Sequence, residues 1–557
     1  MRKRYLGIFL VLLTFIVNMI SVSALEPPYI YGDLNSDGKV TSTDMTLMNR
    51  YILRTIPTIP NIVVADLNGD GKVNSTDLTL LKRYLLRIIS VFPVENQTWP
   101  TPTLSPATPE PTQEPTPTPT APTDEEAWKN NTGTIELGDS IKVSGEGISV
   151  NGSVVTITSG GDHTVTGTLN NGMIYVDTTE RVKLRLNGVN IKNQNGPAIY
   201  FYNVDKGFIT IEKGTVNYLS DGAKYSDEGA KGALFSNDDL ELKGKGTLYV
   251  TGNYKHGIAS DDDIIIENGD IYVTAVTDGL HANDGVKIKG GNITITAKSD
   301  AIESEGDFVM TDGTLNSTAD DDGIHSELDL VIDGGEINVL KCYEGIESKT
   351  TLTINGGKIN VNSNEDGLNA SKGIIINGGN LYITSGYDAI DSNGTINITG
   401  GYTVAFGGNI PEGGIDCDWN PLIITGGTLI AAGGSNSSPS TTSTQCSVLL
   451  GSGTANSVVS IQKEGTEIIN CTAPKNYQNM IISSPDLVLN ATYVVYKNGT
   501  QSVTFTTNSI ITNAGGNSGG FPGWGGGFPG WGGGFPGWGG EFPGGGGFPG
   551  GGGFPGW

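Results

Sequence analysis

The sequence predicts a multi-domain protein in which a small α-helical module precedes an all-β, right-handed parallel β-helix with 22-residue coils. Three observations carry this prediction: a duplicated acidic loop near the N-terminus, a Thr/Pro-rich stretch after it, and a 22-residue repeat through the middle of the chain. The 557 residues are too many for one ordinary core, and 82 glycines with 26 prolines predict many turns and few long helices.

The chain begins with the features of a secretory signal peptide. Basic residues Arg2 to Arg4 precede an apolar run from Leu6 to Ile20, and Val22 to Ala24 supply small residues for cleavage. The apolar run is short for a membrane anchor, which is the alternative interpretation. We therefore expect a secreted, extracellular protein without a membrane span in its mature chain. The predicted segments are a signal peptide at 1–24, a helical module at 25–92, a Pro/Thr linker at 93–126, the β-helix at 127–512 and a Gly-rich tail at 513–557.

Charge and cysteine content argue against several functions. The formal net charge is -26, so nucleic acids and anionic membranes would be repelled, and cations are the natural partners. The cysteines are too sparse for a disulfide framework and lack the spacing of a metal site. The sequence does not decide whether they pair; they are Cys342, Cys417, Cys446 and Cys471.

Two acidic loops, offset by 33 positions, have the spacing of a calcium-binding loop: residues 33–44 read DLNSDGKVTSTD and residues 66–77 read DLNGDGKVNSTD. Short oxygen donors early in the loop suit a hard cation, the following glycine permits a sharp turn, and the next residue offers its carbonyl. The predicted calcium ligands are Asp33, Asn35, Asp37, Lys39, Thr41 and Asp44 in the first loop, and Asp66, Asn68, Asp70, Lys72, Asn74 and Asp77 in the second.

A helix is predicted after each loop, over Met45–Ile56 and Leu78–Ile89, from apolar residues at helical spacing. Residues 29–90 thus resemble a type I dockerin, the cellulosome module built from two loop-helix halves. They depart from an EF-hand because Asp replaces Glu at the last loop position and no helix precedes either loop. The resemblance implies calcium-dependent folding and binding to a cohesin of a scaffold protein, in two orientations permitted by the duplication. The implied cohesin-binding residues are Ser42, Thr43, Arg50, Ser75, Thr76, Lys82 and Arg83.

A 22-residue repeat predicts the β-helix. Alternating aliphatic residues, such as Val286 and Ile288, recur at this interval and indicate strands. Three short strands and three turns fill one coil, and coils stacked at about 4.8 Å form parallel sheets around one core. An eighth, altered copy (GGIDC, Gly413) follows 25 residues after the seventh, so one coil contains an insertion. The seven regular copies are HGIAS at 256, DGLHA at 278, DAIES at 300, DGIHS at 322, EGIES at 344, DGLNA at 366 and DAIDS at 388.

The regions that flank the repeat predict its two ends. From Ile135 to Val250 the same alternation continues with looser spacing, so we expect irregular first coils there. Beyond Ala431 the repeat fades, and two strand-like runs, Asn479–Ser484 and Leu487–Tyr496, are expected to close the far end.

Residues at one repeat position should stack into columns outside the core. Stacked carboxylates keep their charge only when cations or hydrogen bonds compensate it. Calcium and the backbone N–H groups of each turn are alternative compensators, here and in the acidic turns 261–263 and 320–322. The first column, a candidate for further calcium or sugar sites, holds Asp278, Asp300, Asp322, Glu344, Asp366 and Asp388. A second column, which could form ion pairs, bind metal or line a sugar groove, holds His281, Glu303, His325, Glu347, Asn369 and Asp391.

From Asn131 to Tyr496, the (D/E)-(G/A)-(I/L)-x-(S/A) and I-x-G-G units resemble a carbohydrate-binding β-helix family with a polysaccharide-lyase-like fold. The resemblance implies calcium and either cellulose or pectic polymers as ligands. An extended polysaccharide can lie along stacked coils, and calcium can bridge acidic sugars to the protein's carboxylates. We expect a plant cell-wall polysaccharide-binding protein, non-catalytic or weakly catalytic, delivered to a cellulosome by its dockerin.

The alternative function is a pectate-lyase-like β-elimination enzyme, which needs calcium and a base. Arginine is nearly absent after Asn131, so Lys349 is the candidate catalytic base and Lys341 the second choice. An ion pair between Lys349 and Glu347 is the competing interpretation.

Aromatic residues for cellulose binding are scarce by sequence, because Trp128 and Trp419 are the only tryptophans of the β-helix segment. The FPGW repeats of the tail are either glycan-binding or a flexible spacer.

Overall fold

The computed structural model describes residues 127–515 and, nearer the N-terminus, residues 30–34, 39–40, 42–52, 59, 62–67, 72–73, 77–78, 80–81, 84, 91–92 and 94. The chain divides into two compact units between Thr118 and Pro119. The predicted signal peptide, nearly all of the predicted linker and the FPGW repeats lie outside the described residues. Among the described helices, none has the length and apolar character to cross a membrane.

The N-terminal unit contains an α-helix at Ser42–Ile52 and a 3-10 helix at Ile62–Val64. The α-helix begins three residues before the predicted start at Met45, and the residues beyond Ile52 that complete the prediction are not described. Of the second predicted helix, residues 78, 80–81 and 84 are helical and the others are not described.

A compact core holds the N-terminal unit together. Its fully or nearly fully buried side chains come from both loop-helix halves and from the segment after them. The Val94 N–H group donates a hydrogen bond to the Leu67 carbonyl at 3.1 Å, so the packing continues two residues past the predicted boundary at 92. The buried apolar residues are Leu34, Met48, Ile59, Ala65, Leu67, Leu81, Phe92 and Val94.

The second unit is a parallel β-helix, as the sequence predicts. One coil contains the strands Leu280–Ala282, Gly285–Ile288 and Asn292–Thr296. Each strand pairs in parallel with the strand 22 residues later, as in Leu280 with Ile302 and Val286 with Phe308. The three-strand coil is therefore confirmed, while its right-handedness stays a prediction.

A 12-stranded sheet forms one side of the β-helix. Its strands are Ile148–Asn151, Val154–Ile157, Met173–Asp177, Ile199–Asn203, Gly232–Ser236, His256–Ser260, Leu280–Ala282, Ile302–Ser304, Ile324–Ser326, Ile346–Ser348, Leu368–Ala370 and Ile390–Ser392.

A 27-stranded sheet supplies the other two sides. Its first row contains Thr132–Leu137, Gly161–Leu169, Val182–Lys192, Gly207–Ile211, Leu240–Gly244, Asp263–Ile266, Gly285–Ile288, Asp307–Met310, Leu330–Ile332, Thr351–Ile354, Gly373–Ile376, Thr395–Ile398 and Leu422–Ile424, with Lys142–Ser144 at its edge. Its second row contains Val216–Ser220, Thr247–Gly252, Asp270–Ala275, Asn292–Thr296, Thr314–Thr318, Glu336–Lys341, Lys358–Asn362, Asn380–Thr384, Tyr402–Phe406 and Thr428–Gly433.

The interior of the β-helix is one continuous apolar core from Ile135 to Ile481. Alternate residues of each strand point inward, so one aliphatic position stacks on the same position of the next coil. Burial of each such side chain contributes about 1.5–3 kcal/mol, and the repeat supplies that contribution coil after coil. The four cysteines are buried free thiols and form no disulfide bond with one another.

The far end is closed by strands that pair mostly in the antiparallel direction. Strands Ser447–Gly453, Tyr477–Ser483 and Ile511–Ala514 join the large sheet, and a four-stranded antiparallel sheet contains Val458–Lys463, Thr466–Thr472, Thr492–Lys497 and Thr500–Thr506. The predicted run Asn479–Ser484 is confirmed as a strand. The predicted run Leu487–Tyr496 is wrong in its first half, because residues 485–490 turn before the strand starts at Thr492.

Candidate functional site

The last residue of each acidic loop is a buried carboxylate with the same backbone contact. Asp44 Oδ1 accepts a hydrogen bond from the Leu34 N–H group at 2.8 Å, and Asp77 Oδ1 accepts one from the Leu67 N–H group at 2.8 Å. Both side chains have no solvent-exposed surface. The duplication in sequence is thus a duplication in structure, and buried oxygen donors at these positions fit the hard ligands that calcium prefers.

Four other predicted calcium ligands of the N-terminal unit fall among the described residues. Asp33 is buried, Asp66 is half-buried, and Lys39 and Lys72 are exposed. The remaining predicted ligands lie outside the described residues; they are Asn35, Asp37, Thr41, Asn68, Asp70 and Asn74. The predicted cohesin-binding residues Ser75, Thr76, Lys82 and Arg83 also lie outside them, and only the backbone is described for Ser42, Thr43 and Arg50.

The first predicted column exists, and its carboxylates hydrogen-bond along the β-helix. Asp300 Oδ1 accepts the Asp322 N–H group at 2.8 Å, and Asp366 Oδ1 accepts the Asp388 N–H group at 2.8 Å. The prediction that each carboxylate accepts N–H groups of its own turn is wrong for these residues. Parallel stacking brings the same position of the next coil within reach, so the N–H donor comes from there.

Burial disfavours the charged form of the carboxylates in this column where no cation lies beside them. It raises the pKa of Glu344 to about 7 and that of Asp366 to about 6. It also raises the pKa values of Asp300 and Asp388 above their usual range. Asp278 is the exception: burial acts to raise its pKa, but hydrogen bonds with two histidines outweigh burial and hold the pKa below its usual value. The column therefore retains full charge at neutral pH only where cationic groups or ions compensate it.

The second predicted column lies beside the first and its side chains reach back to it. The strands place His281 next to Glu303, and His325 next to Glu347. His325 Nδ1 lies 3.0 Å from Asp322 Oδ2 and 2.8 Å from Glu347 Oε2. The two columns therefore form one continuous polar surface, here called the acidic face.

Lys349 is part of this surface as an ion-pair partner. Its Nζ atom lies 2.5 Å from Glu347 Oε1, as the competing interpretation of this residue expected. Burial acts to lower the pKa of Lys349, but the hydrogen bond with Glu347 raises it above its usual value. Lys341 is exposed, with its Nζ atom 3.7 Å from Asp320 Oδ1.

Two groups of carboxylates on the acidic face bring three oxygen donors within 4.8 Å of one another. One is Asp300, Asp321 and Asp322, which belongs partly to the predicted acidic turn 320–322. The other adds Asp416, from the altered eighth repeat, to Asp388 and Asp391 of the two columns. Burial raises the pKa of Asp391 to about 7, so this group favours cation binding over a fully charged, unbound state.

Comparison with known proteins agrees with this architecture. A family model described as "carbohydrate-binding domain-containing protein" matches residues 151–388 and 340–513, which is more than half of the chain. The chain belongs to this carbohydrate-binding family. Residues 31–86 match the model of the type I dockerin domain, so the N-terminal unit is a type I dockerin.

Relatives resemble each part separately. A carbohydrate-binding domain-containing protein of Acetivibrio thermocellus is 36% identical over 137 residues, 23% of this chain and 48% of the relative, so the match spans about half of that relative's length. Endoglucanase A of the same species is 49% identical over 36 residues, 6% of this chain and 8% of the enzyme. A solved polysaccharide lyase-like protein from C. thermocellum is 28% identical, with 48% of this chain and 96% of that chain covered and a TM-score of 0.34.

A row of stacked tyrosines on the carbohydrate-binding domain was not predicted from the sequence. Tyr218, Tyr249 and Tyr272 lie in register on three neighbouring strands, with ring centroids 5.1 and 4.8 Å apart, and all three are exposed. The three tyrosines are 31 and 23 residues apart, so they do not follow the 22-residue repeat. In addition, only tryptophans were considered as aromatic candidates in the β-helix segment. His256 was also missed as a site residue, although its repeat unit was recognised.

Proposed function

We propose that this chain is a secreted, cellulosome-associated, calcium-dependent polysaccharide-binding protein. Its dockerin binds a scaffold cohesin through the two loop-helix halves, with calcium in both acidic loops. Its right-handed β-helix, at about residues 127–512, binds a plant cell-wall polysaccharide. The signal peptide, linker and tail keep the boundaries given above, and the chain acts by binding, not by catalysis.

The observation that carries the polysaccharide proposal is the acidic face. Its carboxylates repeat along the coils, and burial raises the pKa of several of them. Calcium accepts several oxygens and tolerates irregular geometry, so it can be shared between these carboxylates and those of an acidic sugar chain. An acidic pectic polymer is therefore the ligand that this surface supports best.

Titration of polygalacturonate into the full-length chain, with calcium or with EDTA, tests this proposal. We expect binding with calcium and none with EDTA. Asp391→Asn should weaken the binding, because Asp391 belongs to the three-carboxylate group with Asp388 and Asp416. The matched control is Asp312→Asn, which removes an exposed carboxylate in a turn between two strands of the large sheet. Equal affinity for wild type and Asp391→Asn, or unchanged binding in EDTA, would contradict the proposal.

The tyrosine row supports cellulose as a second ligand. Aromatic side chains are the usual contact for neutral glycans, and exposed Tyr218, Tyr249 and Tyr272 are the aromatic set that the structure adds to the sequence argument. Retention of full-length Tyr249→Ala on cellulose should fall, while its binding to polygalacturonate stays at the wild-type level. If cellulose retention does not change, the row has no part in binding.

The cohesin proposal is tested by capture of the full-length chain on an immobilised type I cohesin. Because metal binding and folding are coupled in loops of this kind, EDTA should abolish capture and calcium should restore it. Undiminished capture in excess EDTA would refute calcium dependence.

A further inference from the structure

Two imidazole rings and one carboxylate converge at the start of the acidic face. His256 Nδ1 lies 2.9 Å from Asp278 Oδ2, and His281 Nδ1 lies 3.1 Å from the same oxygen atom. The rings stack with centroids 4.1 Å apart and an interplanar angle of 17°. One potential ligand atom from each of the three residues falls within 4.8 Å of the others.

Two strands and the turn between coils place the three residues side by side. His256 is the first residue of one strand, His281 is the central residue of the next strand, and Asp278 lies in the turn between the coils. Asp278 Oδ1 accepts the Asp300 N–H group at 3.2 Å, which holds the carboxylate with Oδ2 toward the histidines. The side chains of His256, His281 and Asp278 are 12%, 13% and 9% exposed, so the group is shielded but reachable from solvent.

The donor atoms have the chemistry and spacing of a transition-metal site. Ligands bound tetrahedrally at about 2.0–2.1 Å lie roughly 3.3 Å from one another, close to the two nitrogen-to-oxygen distances here. Imidazole suits zinc, nickel and copper, whereas calcium takes oxygen ligands. We propose that His256, Asp278 and His281 bind one divalent transition-metal ion, with zinc as the test ion and a fourth position open to water.

A second histidine cluster, two coils further along, shows what distinguishes the first. Asp322 and His325 occupy the same repeat positions as Asp278 and His281, but the third member is the carboxylate of Glu347. There the single imidazole lies between two carboxylates, and Lys349 Nζ contacts Glu347 at 2.5 Å. That cluster compensates its own charge with side-chain cations and has one nitrogen donor, so it serves as the internal control.

The experiment is titration of zinc chloride into the full-length chain after saturation with calcium chloride, which occupies the sites that prefer oxygen. We expect one zinc equivalent for wild type and for His325→Ala, and loss of that equivalent in His256→Ala and in His281→Ala. Circular dichroism without zinc checks that each variant is folded. Retention of the zinc equivalent in folded His256→Ala and His281→Ala, its loss in folded His325→Ala, or no zinc binding by wild type would overturn the proposal.

The visible absorption spectrum of the wild-type chain with bound cobalt(II) is a second test. It needs no variant, so it does not depend on whether a variant folds. We expect visible bands of a cobalt site with nitrogen and oxygen ligands and no thiolate-to-metal charge transfer. A charge-transfer band would overturn the proposal, because it would place the metal on one of the four buried cysteine thiols. Absence of any cobalt spectrum at saturating metal would overturn it as well.

Discussion

His325 on one coil and Glu347 on the next form a charged contact, with 2.8 Å between Nδ1 and Oε2. Burial acts to lower the pKa of His325, but hydrogen bonds with Asp322 and Glu347 raise it to about 11. Burial acts to raise the pKa of Glu347, but hydrogen bonds with His325 and Lys349 lower it to about 2. The imidazolium and this carboxylate are therefore both charged over a wide pH range.

The first prediction concerns the pH dependence of stability. The raised pKa of His325 contributes stability that is complete below about pH 6.5, the reference value, and is lost as the pH rises through about 11. The lowered pKa of Glu347 contributes stability above its reference value that is lost as the pH falls through about 2. His325→Gln should cost about 3 kcal/mol near pH 6, because it removes the cation that lies between the buried carboxylates of Asp322 and Glu347, and less at alkaline pH.

Thermal unfolding of wild type and His325→Gln across this pH range measures the difference. The control is Glu336→Gln, which breaks the exposed 2.8 Å pair with Lys358 and should leave the unfolding temperature nearly unchanged at every pH, because solvent screens exposed pairs. A stability difference between wild type and His325→Gln that grows toward alkaline pH would show that His325 is not the charged partner.

The second prediction concerns catalysis by Lys349. Its ion pair with Glu347 favours the protonated ammonium, which cannot remove a proton from a sugar. We expect the full-length chain with polygalacturonate and calcium to form no unsaturated product, measured by ultraviolet absorbance. Product formation that disappears in Lys349→Ala would instead support the lyase alternative.

The third prediction concerns the two halves of the dockerin. Asp44 and Asp77 make equivalent hydrogen bonds to Leu34 and Leu67, so each should contribute equally to its own calcium loop. Asp44→Ala or Asp77→Ala should each remove one calcium equivalent and lower the unfolding temperature of the dockerin. Calcium titration with the full-length chain measures the loss, and Asp312→Asn is again the control. Unequal losses would show that the halves are not equivalent.

The fourth prediction concerns the residue that follows each carboxylate of the first column. A Cβ atom at Gly279 would lie 2.1 Å from the Ile295 side chain, and one at Gly323 would lie 2.5 Å from both the Val339 side chain and the Gly345 carbonyl oxygen. The same repeat position holds alanine at 301 and 389, where the register places the smaller residues Ser317 and Ala405 opposite. A glycine at this repeat position therefore faces a large side chain, and an alanine at this position faces a small one.

This pairing can be tested by a double-mutant cycle. Gly323→Ala should destabilise the β-helix by about 1–3 kcal/mol through overpacking, and Val339→Ala should cost about 2 kcal/mol through a cavity. The double variant, which resembles the natural pair Ala389 and Ala405, should cost less than the sum by about 0.5 kcal/mol or more. Additive losses in denaturant-induced unfolding would show that the two positions do not share their space.

The prediction of the β-helix from sequence succeeded because its information is local and repeated. A 22-residue interval, two inward aliphatic residues per strand and glycine-containing turns determine which residues stack. The columns His281 to Glu303 and His325 to Glu347 followed from counting alone. The run at Leu487 failed because strand-like alternation there had no repeat to support it, and the chain turns before Thr492.

By itself, the sequence determined the dockerin loops, the three-strand coils and the two outward columns. Only the tertiary structure decided which partner each column member contacts, because side chains at one repeat position reach both the next coil and the neighbouring column. Thus the Asp300 carboxylate accepts a hydrogen bond from the backbone of the following coil, and the His256 ring stacks on the His281 ring of the next coil. Stacking distance and side-chain orientation decide such contacts, and neither is encoded in the repeat interval.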